Sequence, residues 1–555
     1  MTQEEILKLT TEVVTQYDRD VKPVTEEIEI IETMLPCTKE FSLRTKIFRP
    51  VHFDRALPTI VVRCCYPEQE DWLEVQMKEL AKRGFAGVLQ WCRGKNGSQG
   101  TWAPYFYERN DGMTLVNWLQ EQVWVASIGL MGASYLALVG WAMADIVPSK
   151  FKTMYLLVLG TEWHESLWSD GAFRQDVYTA WLMYEGTENP NLDYMKSAKY
   201  RPQIDVDVNV WGKRVDVYRD FVSHPSPSDP FWTEGFWGEL LKVPSRMQIP
   251  VFIGEGWFDI HLQNMLKTYS DLSEVSKRHS VVQVNPGNHP RVPVIPGQKN
   301  QTHAQVAEYE QQLRWFNEIL VHDNLPETTI NYYLIGADEW RSYKEWPVPV
   351  SNHEEWYLDG EKLRTEAPDN ITVREYDYDP DDPVISHGSG TLFHEYQGVG
   401  SLQQPEVNYR SDVLSYVSEP VGENLDIIGS IRAELFIESS APDTCFTFKV
   451  MEVREDGTAW NIRDGISTLG YQEHSKVKRK YEGGITKVVI SSWDIAYRVP
   501  QGSRIRVDIS SSNFPEYSAF TNTEKDWCYE AVAQTAQQKI YAGGEYPSKI
   551  VLPIA

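Results

Sequence analysis

From residue 57 to residue 160, short apolar runs alternate with segments of helical period. "TIVVRCCY" (59–66) has the uninterrupted β-branched character of a buried strand. "EDWLEVQMKELAKRGF" (70–85) has the period of an amphipathic helix, with Trp72, Val75, Leu80 and Ala81 predicted to face inward. Strands are then expected at 85–92, 125–132 and 154–160, with helices at 113–122 and 134–145 between them. Such alternation predicts a mostly parallel sheet covered by helices.

The rhythm breaks at 161–245, where aromatic-rich helical pieces such as "RQDVYTAWLMYEG" carry no clear strand. It resumes with "IPVFIGEGW" (249–257) and "HSVVQVNPG" (279–287). The expected organisation is an α/β sheet domain formed by 1–160 and 246–345, with 161–245 inserted as a helical cap. A disordered insertion would not carry so many aromatics. From about 346 to 555, short alternating runs separated by Gly, Pro, Asp and Asn predict a jelly-roll β-sandwich.

Composition narrows the function. A chain of 555 residues calls for several cores. Its net charge of -26 argues against nucleic acid and anionic membrane as partners, since both attract basic surfaces. The 6 Cys are scattered and form no C-x-x-C pair, so neither a zinc site nor a disulfide framework is expected. The acidic start "MTQEEILKLTTEVV" lacks the basic and apolar regions of a signal peptide, and no apolar run reaches membrane-spanning length. A cytoplasmic protein is expected, with a homo-oligomer left open.

The chemistry gathers at three strand ends. "ASIGLMGASYLAL" (126–138) reads strand, sharp turn, helix, with Ser134 at the turn. A nucleophile elbow is often written Gly-x-Ser-x-Gly, but here position 136 is Leu. The strand at 249–257 runs into "GEGWFDIH", which offers Asp259, and the strand at 279–287 into "NPGNHPR", which offers His289. Serine, acid and histidine thus follow the chain order of α/β-hydrolases, at the strand ends where ligands collect in open α/β sheets. Ser134 or Asp259 alone would serve equally as a helix N-cap, and His289 alone as a structural loop residue. Their coincidence in order and position is what favours a catalytic triad, in which histidine takes the proton of the serine and the carboxylate holds its tautomer.

The runs "RCCYP", "GVLQWCRGKNGSQGTW", "IGLMGASYLAL", "GEGWFDIH" and "SSNFPEYSAFTNT" resemble the CocE/NonD serine hydrolases. That group shares a superfamily with the X-Pro dipeptidyl-peptidases of family S15 and the α-amino acid ester hydrolases. The resemblance implies Ser134 as nucleophile, Asp259 as acid and His289 as base. It implies an oxyanion hole made by the Tyr66 hydroxyl and the backbone N–H of Tyr135. It also explains Leu136: these relatives often write Gly-x-Ser-Tyr-x-Gly, so the second small position is Ala137. The usual Gly-Pro-Trp before the histidine reads "NPG" here, which leaves the wall beside His289 open.

Family position suggests Trp163, Trp168 and Phe173 in the cap, and His261 after the acid, as substrate-pocket residues. Packing of the cap's own core is an equal alternative for each. Glu162, Glu165 and Asp170 would hold a substrate ammonium only if they face the site. The expected activity is acyl-enzyme hydrolysis of a small ester, amide or short peptide, without metal or cofactor. A carboxylesterase acting on an apolar or aromatic acyl group is favoured. An X-Pro dipeptidyl-peptidase or α-amino acid ester hydrolase is the alternative, and a non-catalytic binding protein the remote one.

Overall fold

The structure, a computed structural model, describes residues 21–187, 189, 191–290, 294–299, 304–392, 398–472 and 475–555. The N-terminal stretch read above for targeting signals lies outside these residues.

A ten-stranded sheet organises the first part of the chain. Its core strands are β3 (Leu57–Cys64), β4 (Ala86–Trp91), β5 (Val125–Ala133) and β6 (Phe151–Leu157), followed after the cap by β9 (Val251–Phe258) and β10 (Val281–Asn288). These six run parallel in the spatial order β4-β3-β5-β6-β9-β10. Every residue of β3, β4 and β9 is buried, which is why their sequences read as continuous apolar runs. Helices α1 (Glu70–Lys82), α2 (Glu108–Gln120) and α3 (Tyr135–Trp141) connect the strands before the cap.

Two features of this sheet are absent from the hydrophobic pattern. An antiparallel hairpin, β1 (Ile28–Pro36) with β2 (Ser42–Pro50), extends one edge, and β11 (Thr329–Leu334) with β12 (Glu339–Tyr343) extends the other. β1 is half exposed and alternates glutamates with apolar residues, as an edge strand does, so it carries little core signal. In α1 the deepest positions include Leu73 and Met77, with Leu80 and Ala81 as expected, while Trp72 and Val75 pack only at the core's margin. Met77 is drawn in because Gly87 on β4 leaves room for it: a Cβ there would lie 2.8 Å from the Met77 sulfur.

The cap includes α4 (Trp163–Leu167), α5 (Gln175–Thr187), α6 (Asp216–Ser223) and α7 (Gly235–Leu240). It also contains a small hairpin, β7 (Trp168–Ser169) with β8 (Ala172–Phe173), which corrects the expectation of no strand. Asp170 and Gly171 both have positive φ, 43° and 85°, as a tight two-residue hairpin turn requires. The C-terminal part is an eleven-stranded β-structure. Its longest strands are β13 (Leu425–Ser439), β14 (Cys445–Val453), β15 (Ala459–Thr468) and β16 (Thr486–Val499). The α/β-hydrolase sheet, helical cap and β-sandwich pack together, and β8 adjoins the sandwich directly: Ser518 N–H donates to the Phe173 carbonyl at 2.9 Å.

Candidate active site

Ser134 stands between β5 and α3 with φ 57° and ψ -127°, a backbone conformation that side-chain-bearing residues rarely adopt. Such strain costs about 1–3 kcal/mol and persists only where the surroundings enforce it. Here the Ser134 N–H donates to the Leu157 carbonyl at 2.9 Å, and its own carbonyl accepts from Ala137 N–H at 2.8 Å. Gly132 permits the turn, because a Cβ at that position would lie 2.2 Å from the Leu136 carbonyl oxygen. Ala137 is fully buried where the helix leaves the turn.

Asp259 follows β9 and is completely buried. His289 follows β10 and is 8% exposed. The His289 Nδ1 lies 2.8 Å from Asp259 Oδ2, and its Nε2 lies 3.0 Å from Ser134 Oγ. A carboxylate only accepts, so Nδ1 carries the proton and Nε2 is free to receive one from the serine hydroxyl. The second carboxylate oxygen accepts from the His261 N–H at 2.6 Å. Burial would raise the Asp259 carboxyl, but its interaction with His289 outweighs burial and holds Asp259 below the ordinary carboxylate value. The three groups sequence order brought forward therefore meet in space, in the geometry needed to move a proton off Ser134.

The Tyr66 ring meets the ring of Tyr135, the residue after Ser134, edge-on at 6.2 Å. Burial pushes the Tyr66 phenol well above its ordinary value, so it remains a proton donor. The Tyr135 N–H is at the first position of α3, where a helix offers no internal acceptor. Sequence reading missed what fixes Tyr135. Its hydroxyl donates to Glu108 Oε1 at 2.8 Å and accepts from the Tyr105 N–H at 2.9 Å. Glu108 Oε2 in turn accepts from Arg63 at 2.6 Å in an ion pair sealed from solvent. Nothing in "YFYERNDG" marks Glu108 for this task, since its partners lie 27 and 45 residues away.

The wall beside His289 is built by a bulge in β10 between Asn285 and Asn288, closed by the Gly287 N–H donating to Asn285 Oδ1 at 2.7 Å. Gly256 on β9 lets the strands close: a Cβ there would lie 2.4 Å from the Gly287 carbonyl oxygen.

The pocket candidates separate into two groups. His261 lies 5.5 Å from His289, ring to ring, and Trp163 stacks on His261 at 6.0 Å. Tyr105 continues this wall, 4.6 Å from Trp163 and 4.7 Å from Tyr135. His261 hydrogen-bonds Ser166 Oγ at 2.8 Å, and burial lowers its pKa to about 3, so the imidazole is neutral. Trp168 and Phe173 instead pack on each other at 5.0 Å, and Phe173 on Trp527 at 5.6 Å, towards the sandwich. Glu162, Glu165 and Asp170 line a cavity of about 520 Å³ between cap and sandwich, whose lining includes none of Ser134, Asp259 and His289. Glu162 is paired there with Lys267 at 3.1 Å. Among the described residues no group of three or more His, Cys, Asp or Glu is arranged to hold a metal ion.

An α/β-hydrolase sheet with serine, histidine and aspartate at its strand ends defines a hydrolase. Residues 40–291 match the family model of the X-Pro dipeptidyl-peptidases (S15 family), and residues 322–551 match that of the X-Pro dipeptidyl-peptidase C-terminal non-catalytic domain. The two matches together span most of the chain and agree in making the S15 peptidases what it is similar to. It is 27% identical to the cocaine esterase of Rhodococcus sp. (strain MB1 Bresler), over 94% of this chain and 97% of that one. In fold it is similar to an α-amino acid ester hydrolase, with a TM-score of 0.79, 20% identity and coverage of 97% and 99% of the two chains. It is also similar to a CocE/NonD family hydrolase from Staphylococcus aureus, with a TM-score of 0.67, 16% identity and coverage of 96% and 97%.

Proposed function

We propose that this protein is a carboxylesterase that hydrolyses small esters of apolar or aromatic acids through an acyl-enzyme. The observation that carries the reading is the unbroken hydrogen-bonded line Ser134–His289–Asp259 at a strained turn. Ser134 attacks the carbonyl carbon while His289 takes its proton. The Tyr66 hydroxyl and the Tyr135 N–H face the developing oxyanion. His289 then returns the proton to the leaving alcohol, and a water molecule releases the acid by the same steps. The acyl preference rests on the wall of Trp163, Tyr105 and the neutral His261 beside the triad. An amine-bearing substrate would need a free carboxylate beside the triad, whereas Glu162, Glu165 and Asp170 line the separate cavity between cap and sandwich, where Lys267 engages Glu162. Six free cysteines suit a cytoplasmic, reducing setting. Among the described residues no helix is long and apolar enough to cross a membrane.

The test is a substrate panel with active-site labelling. Aryl esters of benzoic and short aliphatic acids are expected to turn over, with a fluorophosphonate adduct on Ser134. Rapid cleavage of Xaa-Pro anilides or α-amino acid esters, with the simple aryl esters inert, would replace this reading with the peptidase or aminoacyl-esterase one.

A further inference from the structure

The acid of the triad stands on a short loop after β9, and that loop is gripped from outside its own sheet. Arg463, on β15 of the sandwich, is 3% exposed. Among the described residues no carboxylate lies within ion-pair distance of it, although a buried guanidinium ordinarily takes one. It donates instead to main-chain carbonyls: Trp257 at 2.8 Å and Trp493 at 3.4 Å. Trp257 is two residues before Asp259, at the carboxyl end of β9.

A second arginine reaches the same loop by another route. Arg174, in the cap between β8 and α5, is also buried and donates to the Gly390 carbonyl and to Glu516 Oε1 at 3.0 Å. Gly390 lies against the loop, since a Cβ on it would stand 2.9 Å from the Phe258 carbonyl oxygen and 3.2 Å from that of Asp259. Ser389 and Asn513 tie this segment to Asp464 and Glu516 at 3.0–3.2 Å.

We propose that Arg463 is a positioning residue for the reaction: the sandwich, through this guanidinium and the Trp257 carbonyl, sets where Asp259 stands and hence where His289 points. The domain matched by a model named non-catalytic then takes part in catalysis without touching substrate. The chemistry supports such an arrangement. Asp259 must hold the imidazole through a change of charge, and a loop free to drift by about 1 Å costs on the order of 100-fold in rate. A guanidinium adds a charge-assisted bond to the carbonyl near this strand's end and so fixes its position from a second domain.

This inference rests on the triad reading, and the experiment separates the two. Arg463→Met, Arg463→Gln and Arg463→Lys are purified beside Ser134→Ala, and kcat is expressed per site titrated with fluorophosphonate, so misfolded protein does not count. Met and Gln are expected to lower kcat about 10- to 100-fold with KM changed less than about threefold, and Lys to restore at least part of the loss. Either folded variant, Met or Gln, is sufficient. Wild-type kcat per titrated site in that variant overturns the proposal. So does a loss of activity that merely parallels the loss of titratable sites. A fully active Ser134→Ala overturns the triad itself, whatever the Arg463 variants do.

Discussion

The Leu136 carbonyl oxygen occupies the space into which a side chain on Gly132 would project, with only 2.2 Å between it and an added Cβ. The obstruction is main chain on both sides, so no rotamer change relieves it. Gly132→Ala must push β5 and α3 apart at the turn that carries Ser134. We expect kcat to fall at least about 100-fold, as reacting groups displaced by about 1 Å do. Ala137→Gly, which removes volume beside the same turn, is expected to keep most activity. Equal activities for the two variants, measured with one aryl ester, would show that the elbow is not under this constraint.

The roles assigned to the triad differ, and so should the losses. Ser134→Ala removes the attacking atom and the fluorophosphonate adduct together. Asp259→Asn leaves the shape but can donate to His289 Nδ1, turning the imidazole to the wrong tautomer, and is expected to cost about 10⁴-fold in kcat. A drop of less than about tenfold in Asp259→Asn would mean that the 2.8 Å contact to His289 is structural.

Tyr66 is expected to act on the transition state alone. Tyr66→Phe keeps the edge-on packing against Tyr135 and removes only the hydroxyl. Loss of one oxyanion donor costs about 10²–10³ in kcat and leaves KM nearly unchanged. A rise in KM at constant kcat would place Tyr66 in substrate binding instead.

Much of this site is legible in the sequence, and the reasons are local. A parallel strand covered on both faces writes itself as "TIVVRCCY", and the turn after it must place a functional group at the carboxyl edge. Ser134, Asp259 and His289 were therefore legible from strand order. What escaped were partners chosen by tertiary proximity. Glu108 holds Tyr135 across 27 residues, and Arg463 grips Trp257 across 206. Such pairs leave no period in the sequence. The β1 hairpin escaped for another reason: half exposed, it alternates glutamate with apolar residues and carries no core signal. The Asp170–Gly171 hairpin escaped as well, because strands of two residues are too short to show a period within the helical texture around them.

His261 offers a prediction with a definite sign. Burial sets its folded value at about 3, against about 6.5 in an unfolded chain. As pH falls below about 6.5 the unfolded chain takes up this proton and the folded one does not, so stability is lost between pH 6.5 and 3, at up to about 1.4 kcal/mol per pH unit. Asp176 and Asp443, each raised to about 6 by burial, act in the opposite direction over part of that window. They are present in both wild type and His261→Gln, so they cancel to first order in the difference between the two. Glutamine can keep a hydrogen bond to Ser166 but has no proton to take up. The melting temperature of His261→Gln should therefore fall less steeply than that of wild type from pH 6.5 to pH 4.5, whatever the glutamine costs at pH 7.5. Parallel curves for the two proteins would mean that His261 does not stay neutral in the folded state, and the uncharged pocket wall beside His289 would have to be redrawn.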